Sequence, residues 1–170
     1  VYSYLFPQET MSSVNQSSDP IIRRRTVPSR RRRDGLIQYA RDNTSQNGED
    51  GIIEKIFSCL PPSESRFCVD IGAWDGSHLS NTYSLLIDND QVWKGLLVEA
   101  DPERFKELDE LHTPRGNVCV NAAVSIAQGS PNQLQAIIQE NAPDCKPDFD
   151  FLCVDIDGSD YWVLAALFEG

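Results

Sequence analysis

Residues 67–82, FCVDIGAWDGSHLSNT, close an apolar run with an acid, Asp70, and then set glycines at 72 and 76 with Ala73, Trp74 and Asp75 between them. Closely spaced glycines after a strand let the backbone approach a ligand, and dinucleotide-binding turns use G-x-G-x-x-G to seat a pyrophosphate on a helix N-terminus. Trp74 and Asp75 break that pattern, one by crowding a pyrophosphate and the other by repelling it. A ligand without phosphates, carrying an ammonium, a sulfonium and a ribose diol, suits such a turn better, and S-adenosylmethionine has that chemistry.

Two more apolar runs end in acids. KGLLVEAD (94–101) ends in Glu99 and Ala100, and DFDFLCVDID (148–157) ends in Asp155 and Asp157. An acid at the end of the second strand of a Rossmann-like unit is placed to accept both ribose hydroxyls. Asp70 would orient the first loop or attract the cationic methionine end, and Asp155 would lie near the sulfonium and the methyl acceptor. Methyl transfer needs alignment and, for a hydroxyl acceptor, a base; Asp155, Asp157 and Asp160 are the candidates for that base or for holding a divalent cation that bridges the acceptor, with Asp155 and Asp157 foremost. The other reading of Asp157 and Asp160 is that they cap the helix that follows. A D-x-D pair also holds a metal and a nucleotide sugar in glycosyltransferases, but that alternative leaves DIGAWDG and VEADP unexplained. His78, expected to open the first helix after the loop, and His112 are both expected at the surface, and neither is placed as a base. Tyr161 and Trp162 are candidates for an acceptor pocket or, at helical spacing with Leu164 and Ala165, for the core.

Positioning these residues requires an alternating chain. SQNGEDGIIEKIFSCL predicts a short amphipathic helix with Asn47 as N-cap, Glu49 and Asp50 in the first turn, and Pro61 and Pro62 as its stop. Four short, mostly continuous apolar runs follow at 66–73, 94–101, 117–125 and 148–157, as for strands covered on both faces of a parallel sheet. Helical patterns lie between them at about 79–88, 102–111 and 131–142, and a further one starts at Asp160. Right-handed crossovers turn this order into an α/β, Rossmann-like, open doubly wound sheet with helices on both faces. Ligands of such sheets bind beyond the carboxyl ends of the strands, where the acids and glycines lie.

SQNGEDGIIEKIF, VDIGAWDGSHLSNT, WKGLLVEADPERF, NAAVS and DFLCVDIDGSDYWV together resemble the FkbM-like branch of class I S-adenosylmethionine-dependent methyltransferases, over about residues 45–166 and in the family's order. The resemblance implies methyl transfer, usually to a hydroxyl oxygen of a small molecule or glycan. It implies a cofactor set of Asp70, Gly72, Ala73, Asp75, Gly76, Asn81, Glu99, Ala100 and Asp155, with Asn81 and Thr82 in the SNT that follows the first loop. Trp74 stands where related sequences commonly carry a smaller polar residue such as Asn. The family's sheet has seven strands and this sequence supplies four before Gly170, so it reads as the N-terminal portion of such a domain, with an exposed parallel edge prone to aggregation. A non-catalytic, truncated Rossmann-like binding module is the remaining alternative.

Charge divides the chain. Residues up to Arg33 carry seven arginines against Glu9 and Asp19, whereas the rest carries eight basic and 24 acidic residues. The Ser/Pro/Arg-rich arm, residues 1–33, is expected to be disordered, as a linker, an organelle or nuclear address, or a tether. The acidic remainder, 34–170, would repel phosphate, and no aromatic pattern accompanies the arginines, so nucleic acid is not an expected partner. No apolar run reaches membrane-spanning length. Cys59, Cys68, Cys119, Cys145 and Cys153 form no C-x-x-C pair and read as reduced thiols of an intracellular, cytoplasmic or organellar, protein.

Overall fold

In the computed structural model the described residues are 35–63, 65–88, 93–143 and 149–169, all within the unit Arg33–Gly170. The arginine-rich arm, read from the sequence as disordered, and Cys145 lie outside the described residues.

A short 3-10 turn, Leu36–Tyr39, precedes helix α1, Glu49–Cys59. Strand β1 (Phe67–Ile71) follows, then helix α2 (Tyr83–Ile87), strand β2 (Lys94–Glu99) and helix α3 (Pro102–His112). The chain continues through strand β3 (Val118–Asn121), helix α4 (Leu134–Asn141), strand β4 (Phe151–Val154) and helix α5 (Asp160–Glu169). The four strands form one all-parallel sheet in the order β3-β2-β1-β4. The connections step from β1 to β2 to β3 in one direction, and β4 then returns to the other flank of β1. The strand order therefore reverses between β1 and β4, the place where open α/β sheets bind ligands.

The strands bury both faces by alternation. Val69, Ile71, Leu96 and Val98 point to one side, where Leu134 and Ile137 of α4 and Val163 of α5 cover them. Cys68 and Leu97 point to the other side, against Leu86 of α2, Leu108 of α3 and Trp93, with Phe57 of α1 packed beside them. Covering on both sides explains why the sequence shows continuous apolar runs rather than strict alternation. Among the described residues β3 and β4 are the edges of the sheet, and every residue of β4 is half-buried. No helix among the described residues is long and apolar enough to cross a membrane.

Several local expectations are corrected. The helix expected at 79–88 is only Tyr83–Ile87, because Leu79 is left-handed (φ 56°) and the Ser80 hydroxyl accepts the amides of Thr82 and Tyr83. His78 therefore sits in the turn before the helix and does not open it. The pattern at 131–142 yields Leu134–Asn141, since the Ser130 hydroxyl accepts the Asn132 amide and its carbonyl the Gln133 amide. The N-cap of α1 is Gly48 (φ 93°), not Asn47, whose backbone amide instead donates to Glu49 Oε2 at 2.7 Å.

Candidate functional site

The loop after β1 is built around Gly72, whose φ of 82° is costly for any side chain. A Cβ there would lie 2.0 Å from the Asp155 carbonyl oxygen, so the loops after β1 and β4 touch only because residue 72 is glycine. The Gly72 and Ala73 amides both donate to the Val98 carbonyl, at 2.9 and 3.1 Å. Gly72 thus contributes space and curvature, and its N–H is spent within the sheet. Gly76 (φ 78°) does a second job, since a Cβ there would meet the His112 ring at 2.5 Å and Leu108 at 2.6 Å.

Glu99, the last residue of β2, is buried at 7% exposure. Its Oε2 accepts the Trp74 amide at 2.9 Å and its Oε1 accepts the Asp101 amide at 2.8 Å. A carboxylate offers about four acceptor positions, so the two amides fix its orientation and leave each oxygen one more donor to receive. That matches the two hydroxyls of a vicinal diol.

Asp70 lies one residue before the end of β1, in register with Cys153 of β4, and is 3% exposed. The fully buried Thr82 hydroxyl donates to its Oδ2 at 2.6 Å. Burial pushes the Asp70 carboxyl up to about 6, with the Thr82 and Cys153 side chains opposing the rise and the Asp155 and Glu99 charges adding to it. Burial, together with Asp70, holds the Cys153 thiol well above its ordinary range.

Two adjoining hollows form a crevice over these groups. One, about 350 Å³, is lined by Asp70, Ala73, Asn81 and Cys153 among others, and the second, about 340 Å³, by Glu99, Ala100 and Ala122. Gly72, Trp74, Asp155 and Asp157 line both. Among the described residues no Lys or Arg lines either hollow, so the wall they form favours a cationic or neutral ligand over a phosphate. Three non-glycine residues of the lining are left-handed: Trp74 (53°), Leu79 (56°) and Asp157 (54°). Such backbone costs about 1–3 kcal/mol per residue and concentrates at functional sites.

Of the residues singled out in the sequence, Asp70, Gly72, Ala73, Asn81, Glu99, Ala100, Asp155 and Asp157 meet at this crevice. Asp75 and Gly76 do not line it. Asp75 instead holds its own turn, accepting the Ser77 amide at 2.8 Å and the His78 amide at 2.7 Å. Burial raises its carboxyl, but the His78 and Ser77 donors outweigh this and leave it below the usual range. Asp160 is a brace for the loop after β4, accepting the Ile156 amide at 2.8 Å and the Gly158 amide at 3.3 Å, while the Ser159 carbonyl receives the first helical amides of α5. Tyr161 and Trp162 are exposed, in neither the core nor the crevice. Among the described residues no group of three or more His, Cys, Asp or Glu is arranged to hold a metal ion.

His112, expected at the surface, is fully buried. The Gly95 amide donates to Asn117 Oδ1 at 3.0 Å, which turns the Asn117 amide nitrogen toward His112 Nδ1 at 3.2 Å. Nδ1 is therefore an acceptor, and Nε2–H donates to the Gly76 carbonyl at 2.9 Å. Burial lowers the His112 pKa, against the pull of the Gly76 carbonyl, and keeps the ring neutral. Its role is to pin the Gly76 turn to α3.

Sequence reasoning missed Trp74 as a structural part of the site. Its amide orients Glu99, and the Arg104 guanidinium lies 4.6 Å from the centre of its ring. Gln46, which also lines the crevice, was equally silent, and only the packing of the loop before α1 brings it there. Compared with protein-family models, with curated proteins and with solved structures, the chain matches none.

Proposed function

We propose that the crevice binds S-adenosylmethionine and that the protein transfers its methyl group to a hydroxyl of a small molecule or glycan. The observation that carries this reading is Glu99, which is held by two backbone amides at the carboxyl end of β2 with an acceptor position left on each oxygen. It lies next to the strand-order reversal and within an acid-lined crevice. The donor set fits the cofactor: Glu99 for the ribose diol, Asp70 and the Gly72 turn for the ammonium end with Asn81 in the same hollow, and Asp155 where the two hollows adjoin. The FkbM-like sequence pattern supports the same assignment.

When bound, the cofactor supplies an electrophilic methyl on a sulfonium centre. The chain's contribution is then alignment, the exclusion of water and the handling of one proton. Confinement between the loops after β1 and β4 sets the attack direction, and proximity of this kind is the main lever in a displacement that needs no acid at the leaving group. Asp155 and Asp157, both on the crevice wall, are the groups in position to accept the proton of an attacking hydroxyl. A D-x-D metal site would use the same two aspartates but would give Glu99 and its two amides no part.

Calorimetric titration of S-adenosylhomocysteine into the full chain tests the reading. Binding is expected for the native protein and about ten- to a hundredfold weaker binding for Glu99→Gln, which loses a charged acceptor at the diol. A cooperatively melting native sample that binds no S-adenosylhomocysteine, or a Glu99→Gln variant that binds it equally well, would sink the proposal.

A further inference from the structure

An amino-acid cofactor brings two opposite charges into the crevice, and the acids of the wall answer only one of them. Asp70, Asp155 and Asp157 suit the ammonium of a methionine end. The α-carboxylate next to that ammonium meets no Lys or Arg among the described residues that line the hollow. A carboxylate entering an acid-lined wall needs donors that offset the repulsion. A site for such a cofactor therefore has to supply neutral ones.

Several backbone donors of the hollow are already engaged. The Gly72 and Ala73 amides reach the Val98 carbonyl, the Trp74 amide reaches Glu99, and the His78 amide reaches Asp75. The side-chain amides of the wall are not so committed. Gln46 lines the hollow, is exposed, and has no side-chain hydrogen bond among the described residues. Among the described residues Asn81 Nδ2 reaches only the Cys153 sulfur, at 3.8 Å, a weak acceptor. Each side-chain amide carries two N–H donors, and neither brings a positive charge that would pair with the acids nearby, as a lysine would.

The loop that carries Gln46 is firmly shaped. On one side of Gln46 the amides of Asn43, Thr44 and Ser45 all donate to Asp50 Oδ2 at 2.8 Å, and on the other the Gly48 amide donates to Asp42. Burial acts to raise the Asp50 pKa, but the Ser45, Thr44 and Asn43 amides outweigh this and bring it down to about 2, so the clamp holds at any physiological pH. The same loop is tied to the one that follows β1, because the Thr44 hydroxyl donates to the Ser80 carbonyl at 3.1 Å. Gln46 and Asn81 thus stand on two loops joined by a direct hydrogen bond, and both line one hollow. Groups presented from an ordered frame lose less freedom when a ligand arrives.

We propose that the side-chain amides of Gln46 and Asn81 receive the α-carboxylate of the cofactor's methionine end, and so make the crevice selective for adenosine carrying an intact amino acid. The proposal rests on the cofactor reading above. It adds to that reading a contact from the loop before α1, away from the strand ends that supply the acids.

Calorimetric titration of the full chain with S-adenosylhomocysteine, with decarboxylated S-adenosylhomocysteine and with 5′-methylthioadenosine tests it. The first ligand carries the carboxylate, the second lacks only that group, and the third lacks the whole amino-acid end. Gln46→Ala and Asn81→Ala should each weaken S-adenosylhomocysteine about tenfold or more, as for a lost hydrogen bond to a charged group, and leave the decarboxylated ligand within about twofold. Gln46→Glu sets a negative charge against the carboxylate. It should weaken S-adenosylhomocysteine more than Gln46→Ala does, while the decarboxylated ligand, whose one charge is positive, binds at least as well as to the native chain. Gln46 is exposed, so its substitutions remove no core contact, and thermal melting of each variant shows that it folds. Undiminished binding of S-adenosylhomocysteine by a folded Gln46→Ala or Asn81→Ala, an equal loss for the decarboxylated ligand, or a native chain that prefers the decarboxylated ligand would overturn the proposal. Where the native chain still binds S-adenosylhomocysteine, those results leave the cofactor reading standing. A native chain that binds none of these ligands overturns the cofactor reading, and this proposal with it.

Discussion

Replacing Asp70 with Asn should change how stability depends on pH in a way that isolates one buried carboxyl. In the folded chain this group titrates near 6 because burial disfavours its charge, against an ordinary value of 3.8. A folded-state pKa above the unfolded one means that the folded state holds the proton more tightly. The associated stability is complete below the ordinary value and is lost as pH rises through about 6. The difference of roughly two units corresponds to about 3 kcal/mol in all, of which about 1.4 kcal/mol is lost between about pH 5 and about pH 8. The amide in Asp70→Asn cannot ionise, yet it still offers Thr82 an oxygen acceptor, so the variant's stability lacks this component. Urea unfolding of both proteins across that range gives a difference curve in which the native chain loses ground to the variant by about 1.4 kcal/mol as pH rises. A flat difference curve, or one of opposite slope, would refute the claim that Asp70 is buried and costly to ionise. The same logic reaches function: a cationic ligand in the crevice stabilises the ionised carboxyl, so binding near pH 6 should release up to about half a proton, measurable by calorimetry in buffers of different ionisation enthalpy.

Gly72→Ala should destabilise the chain by about 2–4 kcal/mol in urea unfolding, from left-handed strain and a clash with the Asp155 carbonyl that no rotamer relieves. Asp50→Ala should cost about 2–3 kcal/mol at neutral pH by leaving the amides of Asn43, Thr44 and Ser45 without their acceptor. The native contribution of Asp50 is present above its ordinary value of 3.8 and is lost as pH falls toward about 2. His112, with its pKa lowered by burial, contributes stability above its ordinary 6.5 that is lost as pH falls below it, and His112→Gln should flatten that part of the profile in thermal melts.

The sheet was legible because its physics is local. Val69 and Ile71 against Cys68, and Leu96 and Val98 against Leu97, record two covered faces, and the acids and glycines at the run ends mark the strand edge beyond which open α/β sheets bind ligands. The candidate crevice was legible where a residue's position follows from its place on a strand, as for Asp70, Glu99 and Asp155. Roles set by tertiary packing were not readable. His112 looks like a polar helix end until Gly76 packs onto its ring, and nothing in the sequence shows that the Asp75 carboxylate receives the Ser77 and His78 amides.

Asp70 and His112 pull the pH profile in opposite directions over overlapping ranges, so the native curve near pH 6 understates both. Each is tied to the same loop. His112 holds its far end through the Gly76 carbonyl, and Asp70 lies beneath its start, bonded to Thr82, which closes the loop on α2. Acidification relieves the cost of burying Asp70 while protonating His112 against the Asn117 amide, so it loosens the Gly76 end as it relaxes the β1 end. A loop serving a cationic ligand needs the reverse, an ionised Asp70 and a neutral His112. Under the proposed function the binding-competent form of the crevice is then the one with Asp70 ionised, above about pH 6, and with His112 neutral. Binding of S-adenosylmethionine should then weaken as pH falls from about 7 to about 5, with that slope reduced in Asp70→Asn and in His112→Gln and removed in the double variant. A double variant that keeps the native slope would mean that the pH response of the crevice arises from neither Asp70 nor His112.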